Sequence, residues 1–511
     1  MCYICILDSR SASPAVGAVA ILRSSRSFLW LTTATLCGAI VMSLELCAFR
    51  LYAPYFGYSV YVWGTMISVV MIALAVGYAL GGWLADRSQS DKHLYFVIVG
   101  SGLYQFLIIC VMRSVLRWLW QSGEVLGTVV ASLIIFLPTM AALATAAPFA
   151  IRLLARSQQV GITAGKVYAF STAGSVVGVL ATTFYFIPHL GTRMTMQVLC
   201  TATLVVGAFG FVPRTAPAIA ILLAATGALL VPKPELPGTV VWATESTYNW
   251  IAVLQHKDLR WLVLNHPAYS QTTRRIGARW SGFYTDYFAL GPSLVQSQRM
   301  LVLGLGAGGG IVSTLAVVPA LRVEAVEIDP KVVEAATMYF DLPKDRSQLS
   351  VHVADARPWL AAQSQEFELV QLDLYQGGPY IPFYLITEEF FGEIHHRMSP
   401  DALLMMNVYD TSQSRELLFA SVATLRRVFS VVLVISRADG NHIVLAFTGQ
   451  RTLHEVQQRL TNLKGDASYR ALGQEAAQSL RDLVLPMGTP VFTDDVAPVE
   501  PMTHRMLLAH R

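Results

Sequence analysis

Seven runs of predominantly apolar residues, near 28–49, 59–84, 94–112, 126–149, 163–187, 194–212 and 216–231, fill most of the first half of this 511-residue chain. A backbone that crosses about 30 Å of hydrocarbon must satisfy its own polar groups, so runs of this length fold as helices. Residues 28–231 therefore read as a polytopic helical domain of about seven to eight spans. Pro138 and Pro148 make the fourth run the one expected to break or bend. Gly77 and Gly81, and Gly165, Gly174 and Gly178, leave room for close helix contact, which in lipid comes from packing.

Charge separates this half from the rest. Residues 1–231 hold 13 Lys and Arg against 5 Asp and Glu, leaving 24 against 28 for residues 232–511. The second part thus has the balance of an ordinary soluble domain. The overall net charge of +4 reflects loops flanking apolar runs, and basic residues interleaved with aromatics are missing from the soluble part, so no nucleic-acid partner is expected. All six cysteines lie before residue 201, which leaves the soluble part without a disulfide framework, and Cys2 and Cys5 have no second pair to complete a metal site. Residues 1–27 carry no well-formed signal-peptide core and read as a disordered leader. Glu45 and Lys166 fall within or at the edge of runs; Glu45 either pairs, with Arg50 or a neighbouring hydroxyl, or lines a substrate cavity. The basic leader and the loop 85–93 favour a cytoplasmic N-terminus, which with seven spans would put the soluble part outside. A cytosolic cofactor argues for a cytoplasmic soluble domain and a miscounted span.

Three prolines in Pro232–Gly238 mark a linker, 232–239. Alternating segments at 240–243, 249–255 and 260–264 predict a small antiparallel sheet within 240–299. From Met300 to Arg511 short apolar strands alternate with helices, the pattern of a Rossmann-like α/β domain. Its first unit is MLVLGLGAGGG followed by VEAVEID. A strand, a turn bearing Gly304, Gly306 and Gly308, a helix and a second strand ending in Glu327 supply the full context of a nucleotide site, with Glu327 placed to accept from two ribose hydroxyls. Further carboxylates follow the third and fourth strands. Asp355, next to Ala356, either accepts from an adenine amino group or caps the helix that follows, the two being compatible, and Asp373 sits in ELVQLDLYQGG. His395 and His396 are adjacent on a predicted helix, which points the rings apart, and no metal is expected.

VEIDP, Asp355-Ala356, Asp373 and LITEEFFGEI resemble the polyamine aminopropyltransferases, the spermidine synthase family. The resemblance extends to Glu245-Ser-Thr-Tyr248, Gln271 and Tyr284-Thr-Asp286, and the whole chain is similar to the transmembrane spermidine synthase-like proteins. It implies an SN2 transfer from a sulfonium donor, decarboxylated S-adenosylmethionine or S-adenosylmethionine, to a small amine. Asp373 and Tyr284 would be catalytic, and Gln271 would contact the donor. The family's aspartate after the third glycine is Ala307 here, and its second acceptor-site aspartate is Gln376. Either Asp494 and Asp495 supply the missing charge, or the reaction becomes methyl or aminocarboxypropyl transfer, with Tyr375, Tyr380 and Tyr384 offering aromatic faces to a cation. A transporter or polyamine sensor with a non-catalytic nucleoside-binding domain is the reading of another class. Soluble relatives imply a possible homodimer.

Overall fold

The structure is a computed structural model describing residues 14–56, 60–88, 90–119, 122–155, 160–210, 238–265, 269–345, 347–411 and 413–509. The chain divides into two compact units, residues 1–51 with 64–232 and residues 52–63 with 233–511.

The first unit is helical: α1 (Pro14–Phe56), α2 (Val60–Arg87), α3 (Lys92–Leu119), α4 (Glu124–Ile135), α5 (Leu137–Ala144), α6 (Ala146–Leu154), α7 (Val160–Ala181) and α8 (Ile187–Ala208). The first helix starts at Pro14, inside the stretch read as an unstructured leader. Among the described residues five helical stretches are long and apolar enough to cross a membrane: Arg26–Ala53, Val60–Arg87, Lys92–Leu119, Leu137–Leu154 and Val160–Ala208. The last covers two expected spans, joined by a π-helical turn at Thr182–Phe186 and kinked at Gly191. The expected span 216–231 and most of the linker lie outside the described residues.

The fourth run breaks where its prolines predict. Pro138 has no N–H and its ring crowds the carbonyl four residues back, which is that of Ile134. The helix stops at Ile135, and the hydroxyl of Tyr104 donates to Ile134 O at 2.6 Å. The freed carbonyl thus finds a partner on a neighbouring helix. Glycines fit the bundle closely. A Cβ at Gly174 would lie 2.0 Å from Thr35 O, one at Gly178 2.4 Å from Ala39 O, and one at Gly77 2.3 Å from Ala141 O. Gly165 faces open space, so its place in the run carries no packing role. On α7 the exposed face beside these glycines is apolar, with Val176, Val177 and Leu180.

The second unit contains two sheets. Strands β1 (Thr239–Glu245), β2 (Trp250–His256), β3 (Leu259–Leu264) and β4 (Ser270–Arg275) pair antiparallel in sequence order. The large sheet comprises β5 (Arg299–Leu303), β6 (Arg322–Glu327), β7 (Leu349–Val353), β8 (Phe367–Leu372), β9 (Met398–Tyr409), β10 (Val431–Ser436), β11 (Asn441–Phe447) and β12 (Leu480–Arg481), in the order β12-β10-β11-β9-β8-β5-β6-β7. Strands β7 to β9 run parallel across the sheet, and β11, β10 and β12 close it antiparallel. Apolar clusters cover both faces, one around Val302, Leu369 and Met405, the other around Leu301, Val370 and Leu404. The chain leaves β5 toward β6 and β7, then returns to lay β8 on the other side of β5. That reversal opens a crevice beyond the carboxyl ends of β5 and β8, the place where open parallel sheets bind ligands.

Candidate active site

Two backbone turns meet in that crevice. After β5 the chain turns through Gly304 at φ 86°, and a Cβ there would lie 2.4 Å from Asp373 O. Only glycine combines that conformation with that approach. Gly308, at φ 74°, caps the helix Gly309–Val317. Asp373 follows β8 directly, and its N–H donates to Leu303 O at 3.0 Å, which ties the two strand ends together.

Asp373 is held from both sides. Tyr284 Oη donates to its Oδ2 at 2.9 Å, and Asn407 Nδ2, from β9, donates to its Oδ1 at 3.1 Å. Desolvation pushes Asp373 up to about 6, while the Asn407 and Tyr284 hydrogen bonds pull it down. Burial and the Asp373 charge hold the Tyr284 phenol well above its usual range, so it stays a proton donor. The turn carrying Tyr284 is anchored by Asp286, whose buried carboxylate accepts from Ser281 N, Ser281 Oγ, Gly282 N and Ser313 Oγ. This explains the Tyr-Thr-Asp order: the aspartate builds the turn and the tyrosine uses it.

On the opposite side of the glycine turn, Glu327 Oε2 accepts from Leu305 N at 3.2 Å and Gly306 N at 3.3 Å, and its Oε1 accepts from Asp329 N at 3.1 Å. Glu327 therefore also braces the turn, and of roughly four lone-pair sites on a carboxylate about one is left for a ribose hydroxyl. Burial lifts Glu327 to about 7 against the pull of these donors. Asp329 caps the next helix and takes Ser246 Oγ at 2.6 Å and Asn249 Nδ2 at 2.9 Å, which accounts for the serine of Glu245–Tyr248.

Asp355 caps the helix Ala356–Ala361 through Arg357 N at 3.1 Å, and its Oδ2 accepts from Tyr384 Oη at 3.2 Å. Ala356 is buried beside it. Gln271 reaches Gly378 O at 3.5 Å, and its own carbonyl oxygen, 3.0 Å from Tyr284 Oη, shares the single phenol proton with Asp373. Tyr375 is fastened to β9: its hydroxyl donates to Asn407 O at 3.2 Å and accepts from Tyr409 N at 2.8 Å.

Four residues singled out in the sequence sit differently. Asp494 does not bring unpaired charge to Asp373: it is engaged by Arg357 at 2.7 Å and by Thr387 Oγ1 at 2.7 Å, and Asp495 is exposed. Gln376 is exposed, with its backbone N–H bonded to Tyr380 O. Ala307 is fully buried in the apolar cluster of Ile251, Val253, Leu262, Leu264, Val332, Ala335 and Phe340, so its methyl packs under the small sheet. Ala307 N donates to Thr272 Oγ1 at 3.1 Å.

Sequence reasoning missed Asn407 and Thr272. Asn407 is the polar residue near the end of an apolar strand, LLMMNVY, and the strand-end rule that finds Asp373 finds it too. Thr272 lies in SQTTRR, where no apolar alternation marks a strand.

A glycine turn, acidic residues at successive strand ends and an ionisable acid gripped by a tyrosine thus come together at one end of the α/β sheet. The model of the spermine/spermidine synthase domain matches residues 289–438. A polyamine aminopropyltransferase of Vibrio vulnificus is 30% identical over 240 residues, covering 45% of this chain and 78% of that protein. A probable polyamine aminopropyl transferase of Bifidobacterium longum is 26% identical over 289 residues, covering 52% of this chain, which spans 64% of that relative's length. A crystal structure of a probable spermidine synthase from Corynebacterium glutamicum, 19% identical, aligns over 52% of this chain and 98% of its own with a TM-score of 0.39. The chain belongs to the spermine/spermidine synthase family of transferases.

Proposed function

We propose that the protein is an integral-membrane polyamine aminopropyltransferase, moving an aminopropyl group from decarboxylated S-adenosylmethionine to an amine such as putrescine. The observation that carries this reading is Asp373, held between Tyr284 and Asn407 beside the glycine turn. With an ionisation near 6, Asp373 is mostly carboxylate at neutral pH and takes the proton that the amine must lose. The amine lone pair then forms the C–N bond as the C–S bond breaks, and its electrons return to sulfur as a neutral thioether. Tyr284 keeps the carboxylate aimed. Glu327 and Asp355 would hold the ribose and adenine, Gly304, Gly306, Gly308 and Ala356 would shape the donor pocket, and Gln271 would line its far end. Tyr375 and Gln376 would border the acceptor. The five apolar helical stretches support a multi-pass membrane location, with the second unit in the cytoplasm where the donor is made. A homodimer fits the habit of the soluble relatives.

Ala307 favours a second reading. Its buried methyl offers no carboxylate for a donor ammonium, so an S-adenosylmethionine that keeps its carboxylate, giving methyl or aminocarboxypropyl transfer to an amine or lipid, stays in contention.

The test is product identification by mass after giving the full-length protein either donor and a panel of amines. Aminopropylated product from the decarboxylated donor alone, lost in Asp373→Asn, supports the first reading. Methylated or aminocarboxypropylated product supports the second. Nucleoside binding without turnover returns the domain to a polyamine sensor or transporter.

A further inference from the structure

All five N–H donors of the Arg357 guanidinium are met. Nε and Nη2 donate to Glu393 Oε1 at 3.0 and 2.7 Å, and Nη1 and Nη2 donate to the two oxygens of Asp494 at 2.8 and 2.7 Å. The second Nη1 proton goes to the backbone carbonyl of Tyr384 at 3.0 Å. A planar fork of this kind holds three partners in one geometry, which a lysine ammonium does not. Arg357 in turn reaches both oxygens of Asp355: its own N–H donates to Oδ1, and Tyr384, whose carbonyl it grips, donates its hydroxyl to Oδ2. Asp494 is brought to this point on a backbone fixed before and after it. Upstream, Phe492 is fully buried, its N–H donating to Thr424 Oγ1 and its carbonyl accepting from Glu388 N. Downstream, Val499 and Met502 are buried in the cluster that also holds Ala356 and Phe390.

We infer that Arg357 is a positioning residue for the nucleoside and that Asp494, from the C-terminal segment, is the latch that keeps it in place: together they aim Asp355 at the amino group of the purine. The inference rests on the proposed contact of Asp355 with adenine and adds what fixes its aim. A carboxylate held at both oxygens accepts from a 6-amino group in its path. A 6-oxo purine turns a carbonyl oxygen toward it instead, leaving two acceptors face to face, and an aimed carboxylate has no freedom to turn away. Without the Arg357 side chain, Asp355 still caps its helix through the backbone N–H of residue 357, but nothing holds the Tyr384 backbone and Oδ2 loses its fixed partner. Without Asp494, Arg357 keeps Glu393 and loses the two-pronged contact that sets the plane of its fork. Either loss lets the carboxylate rotate, and the preference for the amino purine declines with it.

The experiment uses the full chain in lipid nanodiscs and calorimetric binding of 5′-methylthioadenosine and 5′-methylthioinosine, with the melting temperature followed in parallel. Wild type should favour the adenine nucleoside by about tenfold or more. Arg357→Ala and Asp494→Ala should each weaken 5′-methylthioadenosine by about three- to tenfold and bring the preference toward one. The double variant should be no worse than the weaker-binding single, because both remove links of one chain. Arg357→Lys should restore none of the preference, since it keeps the charge and loses the fork. A latch that merely stabilises the fold would lower the melting temperature and leave the preference intact. That result in both single variants overturns the inference and leaves the contact of Asp355 with adenine standing. Equal wild-type affinities, or binding of neither nucleoside, overturn the inference and that contact together. Losses that multiply in the double variant overturn the latch. Asp494→Ala alters an exposed side chain, so it supplies the answer where Arg357→Ala fails to fold.

Discussion

Tyr284 Oη lies 2.9 Å from Asp373 Oδ2, joining a turn that precedes the large sheet to the end of its central strand β8. The phenol stays protonated and the carboxylate ionises near 6, so the pair runs in one direction, with tyrosine donating and aspartate accepting. kcat/KM should therefore fall with unit slope below about pH 6. Tyr284→Phe should move that limb to higher pH, since the lost hydrogen bond favours the charged carboxylate, and Asp373→Asn should cost roughly 10²–10⁴-fold in rate. A pH–rate profile of the three proteins checks all of this together.

Donor binding should release protons. Glu327 ionises near 7 without ligand, and ribose hydroxyls donating to it would favour its charged form. Nucleoside affinity should rise with pH up to about 7 and then level off. Calorimetry at pH 6.5 in buffers of different ionisation enthalpy would give the proton count; buffer-independent heats would contradict it.

The same two carboxylates set a sign for stability. Their folded values of about 6 and about 7 lie above the ordinary unfolded ones, so the native state binds more protons than the unfolded state between roughly pH 4 and pH 7. Their contribution is fully present below pH 4 and is lost as pH rises through the folded values. Glu327→Gln should flatten the upper part of this dependence, visible as a smaller change in the melting temperature of the second unit between pH 5 and pH 8.

The helical unit offers a packing test. Gly178→Leu must displace backbone, because even a Cβ would sit 2.4 Å from Ala39 O, whereas Gly165→Leu meets open space. Thermal unfolding in detergent should show a loss of about 1–3 kcal/mol or more for the first and little change for the second.

How much of this was legible in the sequence varied with the physics of each element. Seven strands of the large sheet, the glycine turn and the strand-end carboxylates followed from apolar runs and punctuation, because buried strands must be written in apolar residues, whereas the two-residue β12 and the antiparallel sense of β10, β11 and β12 did not. Pro138 foretold its break because a missing N–H acts locally. β4 stayed hidden because SQTTRR carries no alternation and is held by pairing with β3. The paired state of Asp494 and the bracing role of Glu327 depend on partners far away in sequence, Arg357 and the backbone of Leu305 and Gly306, which no local pattern announces.

Ala307 carries a last prediction. A carboxylate placed there by Ala307→Asp would enter a fully buried apolar cluster, at a cost of at least ~2 kcal/mol that grows with pH as the group ionises. A lowered melting temperature, worse at pH 8 than at pH 5, would be the sign, and an unchanged one would show that the position opens onto solvent. The same burial means that this residue of the glycine turn doubles as a keystone under the small sheet. Donor preference in this chain cannot then be retuned one residue at a time: altering it requires reshaping the underside of β2 and β3 along with position 307, so that selectivity and foldability are inherited as one trait.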